Sequence, residues 1–231
     1  MTARVFIDLH FHTDASFDCL SRPTDVVQAA AARGLTHLLI TDHERIDGAL
    51  RARDAAPPGL TVIVGEEIRT ADGDLIGAFL ESAVAPDRPP LDTIAAIREQ
   101  GGLVGIPHPF DRLRGSIGDQ ARLDALASLV DWVETHNARL VGSGNERAAE
   151  FARQHELAGV AVSDAHTVVE VAVAYTALDG DPGTPTGLLA ALGSAEVVPG
   201  RASFAVRLWT PLAKGIQRVR GNRRIHPEAR A

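Results

Sequence analysis

The sequence predicts an α/β fold in which helices alternate with the strands of one sheet. Short β-branched or apolar runs alternate with Ala-rich stretches of helical period, and no long linker or low-complexity tract separates them. The 231 residues, of which 45% are hydrophobic and 23% charged, suit one globular domain. Seven parallel strands would form either an open doubly wound sheet or a closed barrel, and the pattern of runs fits both.

Strand runs and helical stretches follow one another in a regular order along the chain. The first helix begins near Pro23 or Thr24, because proline suits a first helical turn, and Gly34 is a typical stop. The triplet Ala71-Asp72-Gly73 has the composition of a hairpin turn. The predicted strands are Val5–His10, His37–Thr41, Thr61–Val64, the hairpin strand Leu75–Leu80, Leu103–Ile106, Trp132–Thr135, Val160–Val162 and Ala172–Leu178. The further predicted helices are Arg45–Asp54, Leu91–Gln100, Asn145–His155 and Thr186–Leu192.

The composition excludes several classes of protein. One cysteine, Cys19, rules out a disulfide framework and a zinc site built from thiolates. No run approaches the roughly 20 apolar residues that span a bilayer, and the N-terminus lacks the apolar stretch of a secretory signal. We therefore expect a cytoplasmic protein that makes no membrane contact. Nine histidines, about twice the ordinary share, are the unusual feature of the composition.

Acidic and imidazole side chains directly follow six consecutive strand runs. In a parallel barrel the carboxyl ends of the strands lie on one rim, so these side chains would meet there. Such a group of buried polar residues would cost on the order of several kcal/mol unless cations lay between them, and the turns contain no arginine or lysine. Imidazole and carboxylate ligands suit zinc, manganese or iron, and they are numerous enough for two or three ions. The acidic and imidazole residues are Asp8, His10, His12, Asp42, His43, Glu66, Glu67, His108, Glu134, His136, Asp164 and His166, and the amide of Asn137 follows His136.

Five motifs in this order, DLHFHT, ITDH, GEEI, PHP and SDAH, resemble those of the PHP (polymerase and histidinol phosphatase) domain over about residues 5–178. The resemblance implies a distorted (β/α)7 TIM-like barrel with a cluster of two to three divalent ions at the C-terminal rim of its strands. It also implies a metal-dependent phosphoesterase, a hydrolase acting on phosphate ester bonds. The metal ligands implied by position are His10, His12, His43, Glu67, His108, Asp164 and His166.

Two positions depart from the family pattern. An acid or a histidine is usual five residues after the second histidine, where this chain has Phe17, and the neighbouring Asp18 would serve instead. A histidine is common in the hairpin after the glutamate, where this chain has Asp74. Asp18 and Asp74 are therefore the further expected ligands.

The expected reaction uses a hydroxide that bridges the ions and attacks phosphorus in line. The catalytic candidates are Glu67, which would bridge ions through its two oxygens, Asp164 and His166. We expect Arg112 and Arg114 to bind the substrate phosphate, because a guanidinium can donate two parallel hydrogen bonds to it. His136 is a further candidate for contact with the substrate, as a proton donor to the leaving group. Glu134 and Asn137 match a family pattern and would orient the ligands.

The expected substrate is a small phosphorylated compound, a nucleotide or a short single-stranded nucleic acid. A non-catalytic metal-binding or interaction PHP module and a histidinol-phosphate phosphatase are the alternatives. Hydrolysis of a carbonyl or phosphotriester substrate would favour a carboxylated lysine, and no lysine precedes Lys214. The sequence gives no indication of the oligomeric state.

The C-terminal residues differ in charge from the rest of the chain. Residues 214–231 contain six basic side chains and one glutamate, a net charge of +5, which leaves −12 on residues 1–213 out of the formal −7 total. We expect a barrel domain over residues 1–213 and a basic, flexible tail over residues 214–231. Such a tail either contacts phosphates or folds back on the acidic body.

Overall fold

The computed structural model describes residues 4–111 and 115–225, and the structural statements that follow concern these residues. No helix among them has the length and apolar character needed to cross a membrane. The strands are β1 (Arg4–Phe11), β2 (His37–Ile40), β3 (Thr61–Arg69), β4 (Asp74–Ala78), β5 (Leu103–Ile106), β6 (Trp132–Asn137), β7 (Ala158–Val162), β8 (Tyr175–Asp179) and β9 (Glu196–Val198). The helices are α1 (Pro23–Ala32), α2 (Asp47–Asp54), α3 (Pro90–Glu99), α4 (Gln120–Leu126), α5 (Gly144–Gln154), α6 (Pro185–Ala191), α7 (Phe204–Arg207) and α8 (Trp209–Val219).

The strands form one sheet in the order β7-β6-β5-β4-β3-β2-β1-β8-β9, which curves into a nearly closed barrel. Neighbours run parallel from β1 to β3 and from β5 to β7, whereas β4 is antiparallel to both of its neighbours. The distorted barrel expected from the sequence is confirmed. The parallel direction expected for the last run is wrong, because β8 runs antiparallel to β1. Only a 3₁₀ turn at Val168–Glu170 separates β7 from β8, and a parallel crossover normally contains a full helix.

The barrel closes where the end of β7 meets β1. The backbone amide and the hydroxyl of Ser163 both donate to the buried carboxylate of Asp8, the amide at 3.1 Å. One residue further along, the Asp164 amide donates to the His10 carbonyl at 3.0 Å. Side-chain and irregular backbone hydrogen bonds therefore join β1 and β7 where a regular barrel has a ladder.

Alternate residues of the strands fill the interior of the barrel. Trp132 of β6 is the largest, and Gly105 of β5 leaves the room that it needs, because a Cβ at Gly105 would overlap the indole ring. Leu188 of α6 and Leu192 of the following 3₁₀ turn pack against this interior cluster. Its members on the other strands are Val5, Ile7, Leu9, Leu39, Ile63, Ile76, Ala78, Leu103, Val160, Val162 and Leu178.

The opposite face of the strands packs against the helices. Val26 of α1, Ile97 of α3 and Phe151 of α5 are buried in this outer layer together with Leu38 and its strand neighbours. Along β2 and β3 successive apolar residues alternate between the interior cluster and the outer layer, as expected for strands that are buried on both faces. Each fully buried side chain of this size contributes about 1.5–3 kcal/mol.

The C-terminal segment folds back onto the carboxyl rim of the barrel. Helix α8 runs through the boundary expected between residues 213 and 214, so the described part of the tail continues the domain. Gln217 of α8 is buried, and its side-chain amide donates to the carbonyls of Asp14, Ser16 and Cys19 at 2.7, 3.1 and 2.7 Å. Of the two alternatives for the basic tail, folding back on the body is therefore the one observed as far as residue 225.

Candidate metal centre

Strands with apolar side chains in the barrel interior end in acidic and imidazole side chains at the carboxyl rim. Side chains on one face of a strand recur at every second residue. Glu67 lies four residues after Ile63, an interior residue of β3, and therefore points into the same space. Glu66 points the other way and accepts a hydrogen bond from the Val84 amide at 2.7 Å. The strand period thus places Glu67 rather than Glu66 at the site, as expected from the sequence.

A β-bulge in β1 directs two histidines to the same rim. The pairing of β1 with β2 shifts by one residue between Asp8 and Phe11, which indicates an inserted residue. Phe11 packs in the outer layer, and His10 and His12 on either side of it face the rim. Bulges are common beside active sites because they change the direction of side chains.

Two ring nitrogens, His10 Nε2 and His12 Nε2, lie 3.0 Å apart in a fully buried position. His10 Nδ1 donates to Glu134 Oε1 at 2.6 Å. His12 Nδ1 donates to Ser16 Oγ at 3.1 Å, since the Ser16 hydroxyl proton is donated to Asp42 at 2.7 Å. With both Nδ1 atoms acting as donors, the Nε2 lone pairs of two neutral rings would repel each other, and a proton on one ring or a metal cation beside them removes that repulsion.

Glu67 connects imidazoles that follow different strands. Its Oε2 atom lies 3.0 Å from His43 Nδ1 and 3.4 Å from His12 Nε2. The same oxygen is 3.5 Å from His10 Nε2, and Oε1 is 3.0 Å from His108 Nε2. The two carboxylate oxygens therefore face different sets of nitrogen atoms, which suits a carboxylate that bridges two ions.

Asp18, in the loop after β1, lies beside the imidazoles of His43 and His166. Its Oδ2 atom is 3.5 Å from Nε2 of each ring. Its Oδ1 atom is buried and has no hydrogen-bond partner among the described residues. The neighbouring Phe17 has no atom that could bind a metal. Its ring packs against the His43 ring, with 4.9 Å between the centroids. The structure thus brings Asp18 to the expected ligands.

The donor atoms fit a cluster of divalent ions. They form four overlapping triplets, and within each triplet the ligand atoms lie within 4.8 Å of one another. All donors are imidazole nitrogens or carboxylate oxygens, the set preferred by zinc, manganese and iron. Asp74 has an oxygen, Oδ1, that is buried without a hydrogen-bond partner in the described part of the chain. The triplets are His12, His43 and His166; His10, His12 and Glu67; His10, His108 and Asp164; and Glu67, Asp74 and His108.

A second layer of polar side chains fixes the orientation of the ligands. Glu134 Oε2 accepts from the His108 amide and from Asn137 Nδ2, both at 2.8 Å, and Asn137 Nδ2 also donates to Asp164 Oδ2 at 3.0 Å. Ser116 Oγ donates to the His108 carbonyl at 2.7 Å and so accepts from His108 Nδ1 at 2.8 Å. The two residues of β6 are expected from the sequence, whereas Ser116 is not, because a serine in a loop has no distinctive pattern.

The buried side chains of the site have pKa values that are shifted in opposite directions from their usual ranges. Burial lowers the pKa of His10, but the charges of Glu134 and Glu67 outweigh that effect and raise it to about 10. Burial and three neighbouring imidazoles hold the pKa of His12 well below its usual range. Burial and the charge of Glu67 raise the pKa of Asp74 to about 7. Neighbouring groups thus compete for positive charge, which divalent cations would supply.

The residues expected to contact the substrate are placed differently. Arg112 and Arg114 lie outside the described residues. The pairing of β6 with β7 shifts between Glu134 and His136, and His136 Nε2 lies 2.7 Å from the Gly200 carbonyl, away from the cavity above the metal ligands. The expectation for His136 is therefore wrong in this structure, because the shift turns its side chain toward the segment before α7.

The cavity above the ligands has a volume of about 560 Å³ and is bordered by three cationic side chains that the sequence analysis did not single out. Arg139 follows β6 and lies 3.3 Å from Glu170. Lys214 extends from α8, and Arg224 Nε donates to Glu44 Oε1 at 3.0 Å. The charge count indicated only that the tail is basic, and no local pattern predicts where a distant segment packs.

Comparison with known proteins relates the chain to one family. The profile of the PHP domain matches residues 8–117, and the profile of a PHP-associated region matches residues 136–197. The uncharacterized protein MJ1587 of Methanocaldococcus jannaschii is 34% identical over 143 residues, 57% of this chain and 81% of that protein. The 3′,5′-nucleoside bisphosphate phosphatase of Chromobacterium violaceum is 36% identical over 95 residues, 40% of this chain and 33% of that enzyme.

Solved structures share the fold at low sequence identity. A two-domain protein of Bacteroides vulgatus, described as containing a predicted PHP-like metal-dependent phosphoesterase, has a TM-score of 0.74 at 19% identity, with 86% of this chain and 66% of that chain covered. The lesion-specific endonuclease PfuEndoQ of Pyrococcus furiosus has a TM-score of 0.58 at 15% identity, with 84% of this chain and 58% of that chain covered.

Proposed function

Because this chain belongs to the PHP domain family, we propose that it is a metal-dependent phosphoesterase that hydrolyses a small phosphorylated substrate. The observation that supports this most is the convergence of His10 Nε2 and His12 Nε2, 3.0 Å apart, on Oε2 of Glu67, which lies 3.5 and 3.4 Å from them. Buried imidazole nitrogens and carboxylate oxygens that meet in this way are the donors that divalent ions prefer. Two relatives are by name a nucleoside bisphosphate phosphatase and an endonuclease, which supports phosphate esters as the substrate class.

Two or three divalent ions of manganese, zinc or iron fit the donor set. When bound, such ions lower the pKa of water toward neutrality and neutralise phosphate oxygens, which supplies both a nucleophile and charge stabilisation. The residues that would hold them are His10, His12, Asp18, His43, Glu67, Asp74, His108, Asp164 and His166.

The chain itself orients several imidazoles with one ring nitrogen toward the centre. Each of His10, His12 and His108 engages its Nδ1 atom in a hydrogen bond and presents Nε2 to the centre. His166 Nδ1 lies 3.0 Å from the Asp164 carbonyl, which leaves Nε2 for a metal. Burial, assisted by the charge of Arg139, lowers the pKa of His166 to about 4, so this ring is neutral at pH 7.

Cationic side chains at the cavity would attract and hold the phosphate. Arg139, Lys214 and Arg224 border a site whose other lining residues are mostly acidic or imidazole. Residues 1–213 have a net charge of −12, which by itself would repel an anionic substrate. We propose that these three cations, together with the bound ions, reverse that repulsion locally.

A phosphate-release screen tests the proposed function. The protein is incubated with Mn²⁺ and with nucleotides, sugar phosphates, histidinol phosphate or short oligonucleotides, in parallel with samples that contain EDTA. We expect release from at least one small phosphate ester, its loss in EDTA, and its loss in D164N. Inactivity on every compound, with and without chelator, would contradict a phosphoesterase and favour a non-catalytic metal-binding module.

A further inference from the structure

Helix α8 turns one face toward the barrel and exposes the opposite face to solvent. Ala213 and Gln217 are its two buried residues, and Gln217 donates to carbonyls of the loop after β1. On the opposite face Leu212 and Val219 are 50% and 89% exposed, and Leu208, directly before the helix, is 74% exposed. Large apolar side chains in water are unfavourable, so this face is a candidate for contact with another surface.

The exposed apolar residues form one continuous stripe. Leu208, Leu212, Ile216 and Val219 follow one another at intervals of three or four residues, the spacing of one helical face, and we call them the apolar stripe. A groove of about 410 Å³ lies along it, lined by Pro211, Leu212, Gly215, Ile216, Val219 and Arg220. Apolar residues on the surface of a monomer are usually scattered singly, and a contiguous group marks an interaction site.

Arginines flank the apolar stripe on both sides. A helix turns by about 100° per residue, which places Arg218 on one side of the stripe and Arg220 on the other, and Arg223 follows in the next loop. Lys214 and Arg224 pair with carboxylates at the rim of the barrel. Arg218, Arg220 and Arg223 are exposed, and no carboxylate of the described residues lies within ion-pair distance of them. Their charges are therefore available to an anionic surface.

The charge and size of this face argue against a second copy of the chain. Residues 197–225 contain seven basic side chains and no acidic one. A two-fold dimer through the stripe would bring the two basic segments together, and their like charges would repel. A stable protein interface also uses about 20–30 residues on each side, more than one helix face provides. An anionic surface that accepts apolar side chains without a shaped pocket fits better.

We propose that α8 binds the surface of a bilayer that contains anionic lipids. The apolar stripe would enter the boundary between headgroups and acyl chains, and Arg218, Arg220 and Arg223 would contact the lipid phosphates. Helices that lie in this boundary combine an apolar face with arginine or lysine beside it. Trp209, which is 44% exposed at the border of the stripe, is a residue type that is enriched at this depth.

The expectation of no membrane contact derives from the lack of a run that could span a bilayer. A helix that lies on the surface needs only one apolar face. The net charge of −12 on residues 1–213 would repel an anionic surface, but charges more than about 10 Å apart are largely screened at physiological ionic strength. Because the stripe faces away from the barrel, the basic segment is the part that comes within this distance.

Cosedimentation with lipid vesicles is the first test. The full chain is mixed with vesicles of phosphatidylcholine alone, or of phosphatidylcholine and phosphatidylserine, in buffer without free divalent ions. We expect binding to the mixed vesicles that is at least about 10-fold tighter than to phosphatidylcholine and that weakens with added salt. Trp209 emission should shift to shorter wavelength on binding, whereas Trp132 is already buried in the barrel. No binding to the mixed vesicles would overturn the proposal.

A pair of double variants tests the apolar stripe. L208Q/L212Q makes two of its residues polar, and L91Q/L189Q makes the same change at exposed leucines of α3 and α6. We expect the lipid concentration for half-maximal binding to rise about 10-fold or more in L208Q/L212Q and to stay at the wild-type value in L91Q/L189Q. Circular dichroism verifies that both variants fold. Wild-type binding by a folded L208Q/L212Q would overturn the proposal, because charge alone would then explain it.

A second pair tests the flanking charges. R218Q/R220Q removes an arginine from each side of the stripe, and R51Q/R53Q makes the same changes at the same spacing on the exposed surface of α2. We expect R218Q/R220Q to bind the mixed vesicles about 10-fold or more weakly, since each cation near an anionic surface contributes about 5-fold. R51Q/R53Q should match the wild type. Equal binding by the two variants would overturn the role of anionic lipid.

Analytical ultracentrifugation without vesicles distinguishes lipid from a second copy of the chain. We expect the wild type and L208Q/L212Q to have the same oligomeric state, because the stripe would contact lipid and not another protomer. A wild-type oligomer that dissociates in L208Q/L212Q would assign the stripe to a protein interface and overturn the proposal. None of these measurements requires hydrolysis, so their outcome does not depend on the proposed function.

Discussion

Glu67 is the side chain on which the candidate centre most depends. Its two oxygens lie within 3.5 Å of four imidazoles, and those imidazoles hold the pKa of its carboxyl well below the usual range despite burial. The choice of Glu67 over its neighbour comes from the resemblance to the PHP domain, and the period of β3 in the structure agrees with it, because Glu67 lies on the same face as Ile63. Residue type and position after a strand predict that acidic side chains meet here, and the resemblance selects Glu67.

Replacing Glu67 with glutamine keeps its shape and removes its charge. We expect E67Q to lose at least about 100-fold in hydrolysis and to retain fewer ions, because a neutral amide cannot bridge two cations. Phosphate release and elemental analysis of the purified variant measure the two effects. E150Q, the same change on the surface of α5, is the control and should match the wild type. Wild-type metal content in E67Q would contradict the bridging role.

Glu134 acts on the centre through His10 and His108, to which it is hydrogen-bonded. We expect E134Q to weaken metal binding about 10- to 100-fold, because loss of the charged acceptor removes what orients the His10 ring. Competition against a chelator of known affinity measures the change, and circular dichroism verifies that the variant folds. Unaltered metal affinity in a folded E134Q would show that the carboxylate has no part in orienting the ligand.

For the helices and strands, the sequence predicts their positions in the chain better than it predicts the direction of each strand in the sheet. α1 begins at Pro23 as expected, and α3 lies within one residue of its predicted bounds. The hairpin turn predicts the antiparallel direction of β4 correctly. The direction of β8 is not predicted correctly, since periodicity describes which faces of a strand are buried and not its direction. The bulge in β1 also escaped prediction, because it depends on pairing with β2.

α7 and α8 are not anticipated, because no helix is predicted after Thr186–Leu192 and residues 214–231 are predicted to be a tail. The position of α8 depends on Gln217, whose buried amide satisfies three carbonyls of the loop that contains Asp18. A single glutamine in a basic segment gives no local signal of such a contact. The docking of this helix is a tertiary property of the chain.

Truncation of Gln217 should therefore destabilise the domain. We expect Q217A to lower the free energy of unfolding by about 1–3 kcal/mol, since buried carbonyls lose their donor. Urea denaturation monitored by tryptophan fluorescence measures the loss. Q154A, at an exposed position of α5, serves as the control and should change stability by less than about 0.5 kcal/mol. A Q217A variant as stable as the wild type would show that α8 is not anchored by this side chain.

Across the whole molecule, the barrel brings together the predicted ligands from the ends of separate strands, and the C-terminal segment adds cations to the same cavity. The first contribution was predictable, because the carboxyl ends of parallel strands share a rim. The second was not, since Lys214 and Arg224 reach the cavity only after α8 packs on the loop following β1. Two basic side chains of the C-terminal segment and acidic side chains of the barrel are thereby brought together at one site.

Removal of metal should lower the stability of the whole domain. Without ions, buried imidazoles and carboxylates of the rim lose the cations that offset their repulsion, and ions that bind only the folded state stabilise it in proportion to their concentration. We expect EDTA to lower Tm by several degrees and added Mn²⁺ to restore it in a concentration-dependent manner, by about 2.7 kcal/mol at 100 times Kd. Differential scanning calorimetry at constant ionic strength measures both. A Tm that is insensitive to EDTA and Mn²⁺ would contradict binding of ions to the folded rim.

The number of divalent ions bound per chain decides whether the rim of the barrel is a multinuclear metal centre. Elemental analysis of the purified protein after gel filtration measures this number. We expect two or more divalent ions per chain in the wild type, and a lower number in H10Q/H12Q, because these two rings belong to three of the four triplets of donors. Zero or one ion per chain in the wild type, after exposure to Mn²⁺ or Zn²⁺, would contradict a multinuclear centre.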